Sequence, residues 1–279
     1  MYEQYWNLKE KPFQNTPDPK FLYLSSQHED ALMKLTYVVA QNLGAGLLTG
    51  VFGCGKTLLA KVILRDLGKQ KFCTAYISNP LVNEPGELIR AIVRSLSPQE
   101  LPEKRSELLI DPLLEKLHNI LMDNIREGKE NIVIIDEAHT INDPRIFEQL
   151  RLILNFQTEE RFLLTLLILG QPELKNKIEA IKPLAQRVPI RCHLDPLPEE
   201  EIAGYIEHRI NVASNQENPS GTKPVFDKEA IKIVYDYSGG IPRRINTLCD
   251  LVLLSGFAKK VQKIDADFVR NVIKEFNLS

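Results

Sequence analysis

The sequence predicts an α/β fold: a parallel sheet sandwiched by helices, followed by a small all-helical domain. Three observations predict it. Short apolar runs alternate with amphipathic helical stretches from Gln27 to about residue 194. The runs are apolar at consecutive positions, as in parallel strands covered on both faces. Beyond "LDPLPEEE" only helical periodicity remains. Domains are therefore expected at residues 1–194 and 195–279.

Taken in order, residues 1–25 read as irregular, because Pro12, Pro17 and Pro19 discourage a helix. Ala31, Leu32, Leu35, Val38 and Val39 recur at helical spacing within Gln27–Asn42. "GAGLLTG" reads as a buried strand entering a turn, and "TLLAKVILRDL" as the helix after it. "FCTAYIS" reads as a strand and "EPGELIRAIVRSL" as a helix opened by Pro85. Residues 97–110 read as an exposed connection. "PLLEKLHNILMDNIREG" is a helix stopped near Gly128. "NIVIIDEAH" is a strand ending in acids, "PRIFEQLRLILNFQ" a helix, and "RFLLTLLILGQ" a strand. "RVPIRCHL" is a shorter strand despite Pro189. Four helices follow, near 198–215, 227–237, 241–258 and 265–275, with the polar stretch "SNQENPSGTKP" between the first two.

A chain of 279 residues with 43% hydrophobic content can bury a full core. The net charge of −2 gives no global case for nucleic acid or acidic lipid, though a local basic patch stays open. Cys54, Cys73, Cys192 and Cys249 have no metal or disulfide spacing, which fits a reducing, cytoplasmic setting. "MYEQYWNLKEKPF" lacks the apolar centre of a signal peptide. The most apolar run, "FLLTLLILG", falls well short of the roughly 20 residues a membrane helix needs.

The chemistry begins at "GVFGCGKT", which matches G-x-x-x-x-G-K-[ST] between a strand and a helix: a P-loop. Gly50, Val51, Phe52, Gly53, Cys54, Gly55, Lys56, Thr57 and Leu58 form the expected phosphate cradle. Glycines let backbone N–H groups turn toward phosphate oxygens, and the helix N-terminus adds partial positive charge. Lys56 is expected on the β- and γ-phosphates of ATP, and the Thr57 hydroxyl on Mg²⁺. Asp136 emerges at the end of an apolar strand, where α/β sheets place ligands, and is the second Mg²⁺ candidate. Glu137 is the candidate general base for an attacking water.

Three further residues have two readings each. Gln171 follows another core strand and would orient the water if that strand neighbours the one carrying Asp136; otherwise it is a turn residue. Arg187 sits at a helix-to-strand junction, either as an arginine finger toward a neighbouring subunit or as a surface salt bridge. Arg243, in "SGGIPRRINTLCD", would fold over the γ-phosphate in cis or simply start a helix. His139 adjoins the acids but reads as a loop residue. Cys54 is expected to face the phosphate loop with a pKa lowered by the helix N-terminus, so that alkylation inhibits and ATP protects. The N-terminal aromatics read either as a cover for adenine or as a packing strap.

With these motifs in view, the chain resembles an AAA+ ATPase, and more narrowly the ExeA/GspA group of secretion ATPases. "YWNLKEKPFQNTPDPKFLYLSSQHEDAL", "LTGVFGCGKT", "IIDEAHTI", "LRLILNFQTE", "LILGQPEL", "LAQRVPIRCHLDPL" and "SGGIPRRINTLCD" are similar to that group's successive blocks. The resemblance implies a five-stranded parallel core with a helical lid, and ATP at the subunit interface of a ring or filament. It implies sensor roles for Gln171 and Arg243 and a finger role for Arg187. The aromatic and proline character of the N-terminal segment makes it the expected adenine-side strap of the 1–194 domain. Longer members continue into a membrane span and a peptidoglycan-binding domain; this sequence carries neither, as a short member or as a piece of a longer protein. Cys54 stands where that group more often has threonine or serine. The function implied is ATP hydrolysis that energises or regulates assembly of a bacterial envelope machine of secretion, pilus or exopolysaccharide type. The expected partners are copies of itself and an envelope or secretion component. It would be a cytoplasmic protein that a partner recruits to the inner membrane. The alternatives are an AAA+ regulator of transposition forming filaments on DNA, and a nucleotide-gated switch with negligible turnover.

Overall fold

The computed structural model describes residues 2–68, 71–80, 82–98, 109–215 and 224–278. Most of the expected connection at 97–110, and most of "SNQENPSGTKP", lies outside the described residues. Five strands are present: β1 (Ala45–Gly50), β2 (Phe72–Ile77), β3 (Glu130–Ile135), β4 (Thr165–Gly170) and β5 (Ile190–Leu194). The helices are α1 (Tyr2–Tyr5), α2 (Ser26–Ala40), α3 (Lys56–Asp66), α4 (Pro85–Leu96), α5 (Ile110–Arg126), α6 (Pro144–Ile153), α7 (Glu173–Glu179), α8 (Lys182–Ala185), α9 (Glu199–Ala213), α10 (Lys228–Ser238), α11 (Pro242–Ala258) and α12 (Ala266–Glu275). By their contacts the residues form two compact units. One is Gln27–Phe52 with Leu59–Leu194; the other is Met1–Ser26, Gly53–Leu58 and Asp195–Ser279.

The first unit holds the sheet, in the order β2-β3-β4-β1-β5. Every pairing is parallel. Burial follows that order. β1 and β4, inside the sheet, are buried at every position, whereas the edge strands β2 and β5 are only partly covered. This is why β1 and β4 read as unbroken apolar runs and β5 as an alternation. Pro189 precedes β5 at the sheet's edge, where a missing N–H costs no ladder bond. The apolar faces of α4, α5 and α6 pack into the same core as β3 and β4.

A polar residue also sits inside this core. Asn131 of β3 is buried, and its Nδ2 donates to the Leu121 carbonyl at 3.0 Å and the Leu163 carbonyl at 2.9 Å. Its Oδ1 accepts from Asn124 Nδ2 at 2.6 Å. A buried amide satisfied this fully ties β3 to α5 and to the chain entering β4. The end of α5 is set by Gly128, whose φ of +75° is open to glycine at little cost. There Gly128 N–H donates to Ile125 O and Lys129 N–H to Asn124 O, both at 2.9 Å.

The second unit is helical and includes the N-terminal residues. This departs from the expected 1–194 grouping: residues 1–26 belong by contact with the helices. The physical reason is where their aromatic side chains go. Tyr2, Trp6, Phe13 and Phe21 are buried in one cluster with Ile206, Leu248 and Leu253. Trp6 Nε1–H donates to the Leu253 carbonyl at 2.9 Å, and Tyr2 O–H to the Asp250 carboxylate. Arg209, itself buried, donates to the Pro12 carbonyl at 2.6 Å and the Gln14 carbonyl at 2.9 Å, with its guanidinium 4.8 Å from the Phe21 ring. The segment is also less irregular than its prolines suggested, with α1 and a 3₁₀ turn at Pro19–Phe21 capped by Asp18. Among the described residues, no helix is long and apolar enough to cross a membrane.

Trp6 is fully enclosed, and a Cβ on Gly256 would lie 2.8 Å from its ring. Trp6→Ala is therefore expected to lower stability by about 3–5 kcal/mol, read from the urea unfolding midpoint.

Candidate functional site

The glycine loop leaves β1 at Gly50. A side chain there is impossible without movement, because a Cβ would lie 2.6 Å from the Leu194 carbonyl oxygen at the end of β5. Gly53 and Gly55 have φ of +90° and +96°, a backbone that turns successive N–H groups to one side. Lys56 then opens α3 and is buried, with Thr57 following it. Phe52, in the middle of the loop, is exposed.

The loop packs on the start of α11. Arg243 N–H donates to the Gly53 carbonyl at 3.3 Å, and a Cβ on Gly53 would sit 2.9 Å from Arg243 Cβ. That close approach requires glycine twice over, for space and for φ. Gly240 prepares the approach from the other side: a Cβ there would overlap the Leu197 carbonyl, and Gly240 O accepts from Leu197 N–H at 2.8 Å. The two arginines of "PRR" then part. The Arg244 guanidinium lies 4.8 Å from the Tyr237 ring, while Arg243 is exposed beside the loop.

Cys54 overturns its expectation. Its side chain is fully buried, and burial pushes the thiol up to about 11; the nearby Lys56 lowers it less, and Asp195 opposes Lys56. Loss of water outweighs the charge of Lys56.

The acids stand at the end of β3, in the sheet unit. β3 pairs directly with β4, so Gln171 follows the strand next to the one that ends at Asp136. Asp136 is buried. Its Oδ2 accepts from Tyr76 O–H at 3.0 Å, and its Oδ1 from the Glu137 N–H at 2.9 Å. Burial pushes the Tyr76 phenol up, and Asp136 and Glu137 push it further, so it remains a neutral donor. Tyr76 was missed in the sequence, since only the pairing of β2 with β3 brings it to Asp136.

Glu137 has φ of +55°, a left-handed backbone costing a non-glycine residue roughly 1–2 kcal/mol. Its N–H is held by Asp136, and its carbonyl accepts from Thr140 N–H at 3.0 Å and Thr140 Oγ1 at 2.8 Å. These bonds offset the strain. His139, read as a loop residue, is not peripheral: its Nε2 is 2.9 Å from Gln171 Nε2 and 3.7 Å from Glu137 Oε2.

The remaining arginines lie elsewhere. Arg187 precedes β5, at the edge of the sheet opposite to Gly50, and its Nη1 donates to the Leu154 carbonyl at the end of α6, 2.9 Å away. Arg191 pairs with Glu179 at 2.8 Å and donates to the Ala185 carbonyl at 2.9 Å.

A family model described as an AAA domain matches residues 40–178. The chain is 37% identical over 267 residues to general secretion pathway protein A of Aeromonas hydrophila, a match covering 95% of this chain and 46% of that protein. It is 25% identical over 183 residues to an uncharacterized HTH-type transcriptional regulator of Methanocaldococcus jannaschii, covering 65% of this chain and 42% of the other. The chain thus spans about half the length of the curated relatives it matches. Among solved structures, ORC2 of Aeropyrum pernix aligns with a TM-score of 0.70 at 16% identity, over 96% of this chain and 72% of that one. A RuvB variant of Thermotoga maritima aligns with a TM-score of 0.60 at 22% identity, over 93% and 71%. At such identities the likeness is one of fold. Sheet order, glycine loop and family match define a P-loop protein of the AAA class. Within that class the chain belongs to the general secretion pathway protein A type.

The burial of Cys54 has a direct readout. Iodoacetamide at pH 7.5 is expected to leave Cys54 unlabelled in the folded protein with or without ATP, and to label it once urea unfolds the chain. Rapid labelling of native protein, mapped to Cys54 by peptide mass, would contradict the burial.

Proposed function

We propose that this protein binds and hydrolyses Mg-ATP as an oligomer, and that turnover energises or regulates assembly of a bacterial envelope machine of secretion, pilus or exopolysaccharide type. The observation that carries it is similarity to general secretion pathway protein A along 95% of the chain, with Lys56, Thr57, Asp136 and Glu137 all present. Lys56 and the loop from Gly50 to Leu58 bind the phosphates. Thr57 and Asp136 supply a hydroxyl and a carboxylate, hard oxygen donors of the kind Mg²⁺ takes alongside phosphate oxygens. Bound there, Mg²⁺ would neutralise charge on the phosphates. Glu137 accepts a proton from the attacking water, and Gln171 orients that water. Arg243 answers to the γ-phosphate in cis, and Arg187 reaches a neighbouring copy's site. The protein works in the cytoplasm, and a partner brings it to the inner membrane. Its domains are the sheet-bearing ATPase core, ending at Leu194, and a helical lid that includes the N-terminal strap.

Glu137→Gln is expected to cut phosphate release by about 10²–10⁴-fold while ATP still binds. Lys56→Ala is expected to weaken ATP binding itself. Undiminished release by Glu137→Gln would remove Glu137 as the general base, whereas no phosphate release by the wild-type protein would sink the hydrolytic reading and leave the nucleotide-gated switch. Arg187→Ala is expected to lower turnover on the order of 10³-fold with ATP affinity nearly intact. Mixing it with Glu137→Gln subunits should restore part of the activity, since each supplies what the other lacks. No restoration in mixed oligomers would remove the shared site.

A second reading, a DNA-associated regulator of transposition forming filaments on DNA, finds support in the relative named as a transcriptional regulator. The net charge of −2 weighs against it. An ATP-dependent, salt-sensitive shift of duplex DNA would favour it, and no shift at low salt would dismiss it.

A further inference from the structure

We infer that His139 is a positioning residue for hydrolysis: its ring fixes which end of the Gln171 amide is presented to the reacting groups, and joins that amide to Glu137. The inference rests on the roles proposed above for Glu137 and Gln171.

Three features bring the ring to this place. Gly170, the last residue of β4, makes room: a Cβ there would lie 3.1 Å from His139 N and 3.3 Å from its Cβ, besides 2.7 Å from Leu174 Cδ2. Lys177 of α7 holds the backbone, its Nζ donating to the His139 carbonyl at 2.5 Å, the Ile141 carbonyl at 2.7 Å and Asn142 Oδ1 at 3.3 Å. The left-handed turn at Glu137 redirects the chain just before His139. The loop after the acids is thereby locked to the strand and helix that flank Gln171.

Proton bookkeeping then decides what the ring does. His139 Nε2 and Gln171 Nε2 stand 2.9 Å apart, and an amide nitrogen has no lone pair to offer. One arrangement has Gln171 N–H donating to a bare Nε2, which moves the ring proton to Nδ1. But Nδ1 is buried and has no partner among the described residues. A buried N–H without an acceptor is rarer in proteins than an under-used acceptor. The other arrangement turns the amide by half a rotation, so that His139 Nε2–H donates to Gln171 Oε1 and Nδ1 is a bare lone pair. This second state leaves the smaller debt. It also gives the ring N–H a second, electrostatic partner in Glu137 Oε2 at 3.7 Å. Gln171 then presents only N–H donors outward. Donors suit a phosphate oxygen or the lone pair of a water; an outward carbonyl would repel the first.

The test uses His139→Phe, which fills the space without a donor, and His139→Gln, whose amide can donate to Gln171. His139→Phe is expected to lower kcat about tenfold, the scale of one lost hydrogen bond, with the KM for ATP within about twofold. His139→Gln is expected to recover to within about threefold of wild type. Gln171→Ala should match His139→Phe, and the double variant should be no slower than Gln171→Ala alone. Thermal melting and binding of a non-hydrolysable ATP analogue confirm that each variant is folded. Wild-type kcat in His139→Phe, no recovery in His139→Gln, or multiplying losses in the double variant would each overturn the inference. Normal turnover by Glu137→Gln is a different result, and removes the role proposed for Glu137 on which the inference rests.

Discussion

The parallel register of β3, β4 and β1 is the constraint on which the candidate chemistry depends. Because these strands run the same way and end at one edge of the sheet, Asp136, Gln171 and the start of the glycine loop follow the ends of neighbouring strands. A slip of one residue in β3 would send every side chain to the opposite face. Two devices hold that register. The apolar faces on both sides of β3 and β4 bury all but the first residue of β3. Asn131 adds a directional lock, since its amide has three partners that no shifted register would satisfy together.

Close backbone approach is the second recurring theme, and it explains why glycines stand where they do. Gly50 meets the end of β5, Gly53 meets α11, Gly170 meets His139 and Gly240 meets the turn at Leu197. Three of these serve the phosphate loop and its support by α11. One serves the loop after the acids. In each case a single methyl group would push apart segments whose separation matters to chemistry, so the cost of substitution would appear in function as well as stability.

Much of this was legible in the sequence. The strands followed from runs of consecutive apolar residues, and the phosphate loop and acids from motifs with strict spacing. The adjacency of β3 and β4, on which the role of Gln171 hung, was a condition the sequence could state but not decide, because strand order is a long-range property. Tyr76 and His139 were out of reach for the same reason: each meets its partner only through pairing across the sheet. The N-terminal aromatics were left between two readings because burial is visible in composition and the identity of the buried partner is not. Cys54 was misjudged because its position in the loop suggested a helix N-terminus, whereas its pKa is set by desolvation, a property of the packed structure.

The position of Arg187 bears on whether a second copy of the chain belongs in the proposed mechanism. A Cβ on Gly44, just ahead of β1, would lie 3.6 Å from the Arg187 carbonyl oxygen, so this residue sits where β1 begins. The glycine loop starts where β1 ends. The strand between them spans roughly 20 Å at about 3.3 Å per residue. An arginine side chain reaches only about a third of that. Arg187 is thus out of range of the end of β1 in its own chain. Its guanidinium meanwhile rests on the Leu154 carbonyl, a single neutral acceptor at a helix end that a phosphate oxygen of a neighbouring site would outcompete. A finger role for Arg187 therefore stands or falls with oligomerisation. A monomer at full activity would return this residue to its other reading, a side chain that caps α6.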